Sequence, residues 1–285
     1  MIPRHELDRI VRGALEEDAP WGDLTSEALL PAEAVATATL TAREPGVFAG
    51  GAAFAAAFHL TDSTIEVDGL AADGTRFTAG QHLGEVRGPA RAVLTAERVG
   101  LNLAQRMSGI ATLTAEYVAA IAGTTARVTD TRKTTPGLRA LERDAVLAGG
   151  GHNHRRSLSD AVLVKDNHLA VLLAQGLSVT EALLAARARL PHTTHLEVEV
   201  DRLDQIEAVL AAGIDTIMLD NFSLADLRAG VAQVAGRALV EASGGVRLDT
   251  IGAIAATGVD LVSVGALTHS ARALDLGLDV RVTAG

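Results

Sequence analysis

The sequence has 285 residues, of which 48% are hydrophobic and 21% are charged, so its length and composition suit one large barrel or two ordinary globular domains. The formal net charge of −10 argues against a surface for nucleic acid or anionic membrane, but it leaves room for a small anion in a locally basic pocket. The absence of cysteine excludes disulfides, thiolate chemistry and cysteine-ligated metal centres.

The first segment, MIPRHELDRIVRGALEED, is charged and amphipathic and lacks the apolar core of a signal peptide. Further along the sequence, no apolar run approaches the roughly 18 residues of a membrane span. We therefore expect a cytoplasmic protein that binds neither nucleic acid nor membrane.

Residues 1–125 predict a mixed α+β region. An amphipathic helix in RHELDRIVRGALEE precedes an alternating strand, VATATLTARE, a short alanine-rich helix, and short strands with glycine turns. A long helix then runs from Leu94 to Ile121. Its polar positions Arg98, Asn102 and Gln105 are spaced i, i+4 and i+7, so they form a stripe along one side.

After Gly123 the pattern becomes repetitive and predicts βα units. The strand candidates are ARVTD, AVLVKD, HLEVEVD, DTIMLD, ALVEAS and DLVSVG. Helical patterns follow them at 138–148, 178–190, 202–212, 223–235, 247–257 and near residue 270. This alternation indicates a parallel sheet that closes into an α/β barrel of fewer than eight evident strands. A doubly wound open sheet is the alternative, weakened because no GxGxxG follows any of the strands.

In a barrel of this kind the functional groups lie on the loops that leave the carboxyl ends of the strands. Reading only those positions selects polar groups and glycines at Thr131-Arg132-Lys133, Lys165-Asp166-Asn167, Glu199 with Asp201, Asp220-Asn221, Ser243-Gly244-Gly245 and Gly265. Among the 25 basic residues of the chain, Lys133 and Lys165 are the two lysines, and both lie at such ends. Because a compact ammonium and a planar guanidinium are not interchangeable, their positions indicate a function.

The strand ends predict an anion-binding pocket of mixed charge. Glycines in EASGG and SVGA, just before helices, suit a phosphate site, although each could simply permit a tight turn. Cations at Arg132, Lys133, Arg155 and Lys165 can clamp carboxylates or phosphates.

The carboxylates at the strand ends also have two interpretations. Glu199 and Asp220 can hold a divalent cation or stabilise a cationic transition state, or they are ordinary solvated carboxylates. In GGGHNHRR, a metal site formed by His152 and His154 is weakly supported without further ligands, and the loop is better explained as directing His154 and Arg155 toward an anion.

The motifs that carry a family resemblance are DTRKTTPGLR, GGGHNHR, SDAVLVKDNH, LEVEVD, IMLDN, EASGGV and VSVGALTHS, in this order. Together with AERVGLNLAQRMSGIAT and EEDAPWGDLTS, they closely resemble the quinolinate phosphoribosyltransferases over nearly the whole chain. Two positions depart from that pattern, since the family commonly has Leu where Thr135 stands and Gly where Ser157 stands.

The resemblance implies an open (β/α) barrel of about six or seven parallel strands, residues 111–269, plus an N-terminal α+β sandwich domain. The latter would comprise residues 1–110, joined by about 270–285. It also implies a homodimer in which the partner's N-terminal domain caps each barrel, so that Arg98 reaches the neighbour's site.

The implied reaction joins quinolinate to the ribosyl carbon of phosphoribosyl pyrophosphate with loss of CO₂, in de novo NAD biosynthesis. Mg²⁺ is the implied cofactor, held by Glu199 and Asp220 directly or through pyrophosphate and water. The catalytic residues would be Lys133, Lys165, Glu199 and Asp220. The implied substrate-binding residues are Arg98, Thr131, Arg132, Lys133, His154, Arg155, Lys165, Glu199, Asp220, Ser243, Gly244, Gly245, Val264, Gly265, Ala266 and His269.

Two other functions are compatible with these residues. One is a barrel lyase in which a lysine forms a Schiff base with a carbonyl substrate. The other is a phosphosugar-binding relative that takes a different acceptor, which the departures at Thr135 and Ser157 leave open.

Overall fold

The computed structural model describes residues 2–174 and 176–283, so the outermost ends of the predicted domains, residues 1 and 284–285, lie outside the described residues. The helices are α1 Arg4–Asp18, α2 Leu24–Leu29, α3 Gly51–Thr61, α4 Ala90–Ala120, α5 Arg139–Ala148, α6 Asp166–Leu173, α7 Val179–Arg187, α8 Ile206–Leu210, α9 Leu224–Val234, α10 Ile251–Ala255 and α11 Ala266–His269. The strands are β1 Val35–Ala42, β2 Gly46–Val47, β3 Glu66–Asp68, β4 Arg76–Phe77, β5 His82–Pro89, β6 Arg127–Thr129, β7 Val162–Val164, β8 Leu196–Val200, β9 Thr216–Asp220, β10 Leu239–Ser243, β11 Leu261–Ser263 and β12 Leu276–Thr283.

The chain forms two compact units. The first runs to Ala115 and also takes in Thr134–Gly150 and the chain from Leu267 onward, while the second consists of Glu116–Lys133 and Gly151–Ala266. The segment that contains α5 thus belongs to the first unit, although the predicted barrel range of 111–269 includes it. The predicted domain bounds themselves stay predictions.

In the first unit an antiparallel sheet has the order β12-β1-β5-β3, and β1 pairs along its length with β12, from Val35↔Thr283 to Ala42↔Leu276. The strand β1 alternates as predicted, turning its alanines and Leu40 into the core. The rings of Phe54 and Phe58, one turn apart on α3, pack at 4.9 Å and fill the same core.

The long helix α4 begins at Ala90, four residues earlier than the pattern predicts. Its predicted polar stripe is divided between two roles. Arg98 and Asn102 are exposed, whereas the Gln105 side chain donates to the Leu276 carbonyl at 2.7 Å and so anchors β12. At Gly109 a Cβ would lie within 3 Å of the Arg272 backbone, so this crossing requires glycine.

The second unit is an open α/β barrel. Its parallel sheet has the order β6-β11-β10-β9-β8-β7, and the described strands number six, as predicted. The strands follow one another in chain order from β7 to β11, without the reversal of a doubly wound sheet, and β6 closes the far edge. Strands β8 and β9 are buried almost throughout, as expected for a parallel sheet covered on both faces.

The helix pattern of the barrel agrees with the prediction except after β7. There α6 begins directly at Asp166, a helix that the sequence analysis did not predict, and its eight residues include none that is buried. Without a buried face there is no clear helical period to read in this segment. No helix in the part of the chain that the structure describes is both long and apolar enough to cross a membrane.

Candidate active site

A cavity of about 590 Å³ opens at the carboxyl ends of the parallel strands, entirely within the second unit. Eleven of the predicted site residues line it: Thr131, Arg132, Lys133, His154, Arg155, Lys165, Glu199, Asp220, Ser243, Gly244 and Gly245. The lining comes from the ends of β6 to β11 and the turns that follow them, together with the His154–Arg155 segment before β7. Polar groups converge here because parallel strands end at one edge of a sheet.

Cations form one wall of this cavity. Arg132 and Lys133 follow β6 and are exposed, and the Lys133 backbone N–H donates to Thr131 Oγ1 at 3.1 Å, which fixes the turn. Burial, together with repulsion from Arg132, lowers the pKa of the Arg155 guanidinium. Two guanidinium groups held this close to one another favour a ligand with negative charge.

The second lysine pairs with a carboxylate across neighbouring strand ends. Lys165 follows β7, and its Nζ lies 2.5 Å from Glu199 Oε2 on β8. Lys165 remains 45% exposed, so its ammonium can serve the Glu199 carboxylate and a second anion in the cavity. Its backbone N–H donates to His168 Nδ1 at 2.9 Å at the start of α6.

Opposite these groups, a tight turn follows β9. Asn221 adopts a left-handed conformation with φ 58°, and its side chain donates to Asp220 Oδ2 at 2.6 Å. The same side chain packs against Gly244, where a Cβ would lie 2.2 Å from Asn221 Oδ1, so only glycine fits. At Gly245, with φ +58°, a Cβ would meet nothing within 4 Å and would point into open space.

Glu199 and Asp220 are the residues that could hold a magnesium ion. Both line the cavity, at the ends of adjacent strands, and both offer the carboxylate oxygens that Mg²⁺ prefers. Each carboxylate is already oriented by a neighbour, Lys165 or Asn221. Because Mg²⁺ usually takes one or two carboxylates along with substrate phosphates, this donor set fits the ion.

A buried acidic cluster lies beside the cavity. His154 Nε2 is 3.1 Å from Glu197 Oε2 on β8 and 3.5 Å from Glu241 Oε2 on β10. Burial by itself lowers the pKa of His154, but hydrogen bonds and attraction from the two glutamates outweigh it and raise that pKa. Burial also raises the pKa of Glu197. The glutamates thus favour a proton on Nε2, the nitrogen that faces them.

The tautomer of His154 follows from its other nitrogen. The backbone N–H of Arg155 donates to Nδ1 at 2.8 Å, which requires that Nδ1 carry no proton. We therefore assign the ring proton to Nε2, the nitrogen that faces the two glutamates.

The remaining predicted site residues do not line the cavity. Arg98 and His269 are exposed and belong to the first unit. Val264 is buried, and its backbone N–H donates to the Thr129 carbonyl at 3.0 Å, so it joins the end of β11 to β6. Gly265 and Ala266 lead from there into α11.

Four lining residues were missed by sequence reasoning: Leu163, Met218, Glu241 and Ser263. For Glu241 and Ser263 a signal exists. Glu241 is two residues before Ser243 and so faces the same side of β10, and Ser263 ends β11. Positions in the strand-end loops do not include side chains such as Glu241, which lie one step inside the barrel and also line the cavity.

The fold and the cavity define a class of protein, an α/β barrel enzyme whose strand ends bind a small, multiply charged anion. The comparisons with known proteins specify it further. Family models match residues 23–108, as the quinolinate phosphoribosyl transferase N-terminal domain, and residues 110–279, as its C-terminal domain. The chain belongs to the quinolinate phosphoribosyl transferase family.

Curated relatives and solved structures agree with this family. The chain is 48% identical over 279 residues to the nicotinate-nucleotide pyrophosphorylase [carboxylating] of Mycobacterium leprae, covering 95% of each chain. It is 41% identical to the probable enzyme of the same name from Bacillus subtilis, over 98% of this chain and 94% of that one. The crystal structure of NadC from Streptococcus pyogenes superposes with a TM-score of 0.94 at 40% identity, covering 100% and 99% of the two chains.

Proposed function

We propose that this chain is a quinolinate phosphoribosyltransferase, which joins quinolinate to phosphoribosyl pyrophosphate and releases nicotinate mononucleotide, pyrophosphate and CO₂. The observation that carries the proposal is the cavity of the second unit, where cations, two carboxylates and a glycine turn meet at the strand ends. Relatives are named for this reaction in both directions, as pyrophosphorylase [carboxylating] and as phosphoribosyltransferase [decarboxylating].

The acceptor site is assigned to the cationic wall. Arg132, Arg155 and Lys165 bind the two quinolinate carboxylates, and His154 lies behind them. This arrangement presents the pyridine nitrogen to C1 of the ribosyl donor. Bond formation from that nitrogen to C1 accompanies cleavage of the bond from C1 to pyrophosphate. The ring nitrogen then carries a positive charge, which stabilises the electron pair left on C2 when the 2-carboxylate departs as CO₂, and C2 takes up a proton from water.

The donor site is assigned to the glycine turn after β10 and the acidic ends of β8 and β9. Gly244 and Gly245 offer backbone N–H groups to the 5′-phosphate, together with the predicted contribution of Gly265, and Lys133 approaches the ribosyl donor. Glu199 and Asp220 face the ribose hydroxyls, where their charge favours positive charge developing at C1. Mg²⁺ held by these carboxylates with pyrophosphate would neutralise charge on the leaving group.

The protein is further proposed to act in the cytoplasm as a homodimer with shared sites. Arg98 is exposed on α4, so its guanidinium is accessible to a second copy of the chain. In the dimer the partner subunit's Arg98 would add a further cation to the carboxylate site.

A Schiff-base lyase is less well supported by the geometry. Lys165 donates to Glu199 at 2.5 Å and Lys133 is exposed, so neither lysine lies in the desolvated pocket that activates such a nucleophile. Borohydride trapping with a keto substrate should leave the protein unmodified, whereas a stable adduct at either lysine would favour the lyase.

The deciding experiment is an assay with phosphoribosyl pyrophosphate, Mg²⁺ and either quinolinate or nicotinate. Quinolinate should be preferred by a few kcal/mol in transition-state free energy, because a monocarboxylate leaves a cation of the cavity wall without its partner. Equal kcat/KM values for the two acceptors, or no nicotinate mononucleotide from quinolinate, would contradict the proposed function.

A further inference from the structure

Two glutamates near the cavity have no part in the function proposed above. Glu197 is 4% exposed and Glu241, although it lines the cavity, is 1% exposed, so both carboxylates are almost fully removed from solvent. Carboxylates are rarely buried this completely unless they are paired. Both approach the same nitrogen, Nε2 of His154, from two different strands.

The protein holds both ring nitrogens and the backbone N–H of His154. The glutamates accept from Nε2, the Arg155 backbone N–H donates to Nδ1 at 2.8 Å, and the His154 backbone N–H donates to buried Asp130 at 2.7 Å. The ring therefore presents no nitrogen to a substrate in the cavity. The ring therefore links the two buried glutamates, at Nε2, to the backbone of Arg155, at Nδ1.

That next residue is Arg155, which carries a guanidinium in the cavity wall. Its backbone is fixed by the imidazole, and its Nη1 donates to the Ala161 carbonyl at 3.0 Å. Repulsion from Arg132 disfavours this placement, whereas the negative charge of Glu197 favours it. A network that orients the main chain at Arg155 therefore sets where the guanidinium meets an anion.

We propose that Glu197 and Glu241 are positioning residues for His154. They hold the imidazole as the Nε2–H tautomer, and its Nδ1 then fixes Arg155 in the wall that binds the quinolinate carboxylates. This inference rests on the proposed function for the identity of the ligand. It deepens that function, because it assigns part of the specificity for the dicarboxylate to groups that act through His154 and Arg155.

A bound metal is the competing explanation for the cluster. The three side chains lie close enough to share an ion, and the second oxygen of each glutamate is buried without a hydrogen-bond partner among the described residues. However, a metal on Nε2 would move the ring proton to Nδ1, where it would face the Arg155 N–H. The geometry thus favours the hydrogen-bonded network.

The test compares isosteric variants in steady-state assays with each substrate varied in turn. Glu197→Gln and Glu241→Gln should raise the KM for quinolinate roughly tenfold or more, because small misplacements of a binding group are costly. The KM for phosphoribosyl pyrophosphate should not change. Glu207→Gln, at an exposed glutamate paired with Arg237 in the same unit, is the matched control and should behave as wild type. Wild-type KM values for quinolinate in both cluster variants would overturn the proposal.

A spectroscopic measurement decides the same point without any substrate. In ¹⁵N-histidine NMR spectra the wild-type His154 should show a protonated Nε2 and an unprotonated Nδ1, and the two glutamine variants should show mixed tautomers. A protonated Nδ1 in wild type, or a stoichiometric metal that Glu241→Gln loses, would overturn the proposal. If wild type instead makes no product from quinolinate, the proposed function fails while this measurement still reports on the network.

A third comparison covers the case in which the glutamine variants do not fold. His154→Asn keeps an oxygen near the position of Nδ1, so it can still accept from the Arg155 N–H, whereas His154→Ala cannot. The Asn variant should therefore have the lower KM for quinolinate. Equal KM values for the two variants would show that Nδ1 does not orient Arg155.

Discussion

Two of the 25 basic residues are lysines, and the positions of these two indicate why lysine and not arginine is used there. Lys133 and Lys165 both line the cavity, and Lys165 already serves the Glu199 carboxylate. A rotatable ammonium can contact several oxygens at once, while a guanidinium imposes one planar geometry. In a cavity that must bind carboxylates and phosphates side by side, this difference decides between the two residues.

We predict that Lys133→Arg and Lys165→Arg each lower kcat/KM by about 100-fold although charge is retained, since the longer, planar group cannot occupy the same position. Steady-state kinetics with quinolinate would measure the loss. Arg202→Lys, an exposed change outside the cavity, is the control and should be neutral. Near wild-type turnover in both lysine variants would mean that their positions are accidental.

At the scale of the element, the turns after the strands decide which backbone groups face a ligand. The turn after β10 combines Gly244, which must be glycine because Asn221 packs against it, with Gly245, whose missing side chain leaves open space. The first glycine is thus explained by packing. The second is favoured by its left-handed φ of +58°, and its missing side chain also leaves room for a ligand to approach the backbone closely.

Gly245→Ala should raise the KM for phosphoribosyl pyrophosphate, because the added methyl group would occupy the space assigned to the phosphate. The left-handed backbone should cost about 1–2 kcal/mol in stability. Gly213→Ala is a matched control, since Gly213 also has a positive φ (+67°) and open space around it. The two variants should lose similar stability in urea unfolding, and only Gly245→Ala should change the KM. Identical kinetics in both would remove the phosphate assignment.

An ion pair fastens the C-terminal strand of the first unit. The Glu44 carboxylate accepts from Arg272 Nη1 at 2.6 Å and from the Asp275 backbone N–H at 2.8 Å, just before β12 begins. The Arg272 hydrogen bond lowers the pKa of Glu44 to about 2, from an ordinary value of 4.5. A lowered folded-state pKa means that the carboxylate stabilises the fold above pH 4.5 and that this contribution is lost as the pH falls through about 2.

We therefore predict that Glu44→Gln lowers the free energy of unfolding by at most about 1 kcal/mol at pH 7, as expected for a largely exposed pair. The difference from wild type should shrink between pH 4.5 and 2, which denaturant unfolding at several pH values would measure. A difference that stays constant down to pH 2 would show that the charge of Glu44 does not contribute.

At the scale of the whole molecule, the question is whether one chain completes a site. The cavity lining comes from the second unit, whereas Arg98 is exposed on α4 in the first. In a symmetric dimer, a residue that one subunit supplies to the other is lost or restored according to which chains are paired.

Arg98→Ala and Lys133→Ala proteins should each be nearly inactive alone. After subunit exchange, each heterodimer should hold one intact site and one site that lacks both residues. Random 1:1 mixing should thus restore roughly a quarter of wild-type activity. Activity that does not recover, although mass spectrometry shows heterodimers, would place Arg98 in its own subunit's site or outside the chemistry.

The sequence by itself determined the barrel and most of the cavity lining, because each strand end can be recognised from a few neighbouring residues. A strand end is recognisable from a buried run followed by a polar residue or glycine, as at Lys165, Asp220 and Gly244, and the ends of parallel strands must lie together. Helix α6 was not predictable in the same way, since it buries no face and so leaves no period in the sequence.

Only the tertiary structure decided which interior side chains meet. Glu197 and Glu241 are separated by 44 positions in the sequence. Nothing in either strand alone indicates that both reach one nitrogen of His154. Such contacts depend on how the barrel closes, which brings side chains from separate strands into the same interior layer. Burial then changes what these groups do: carboxylates that would be ordinary solvated charges on an open strand become fixed acceptors that orient a neighbouring residue.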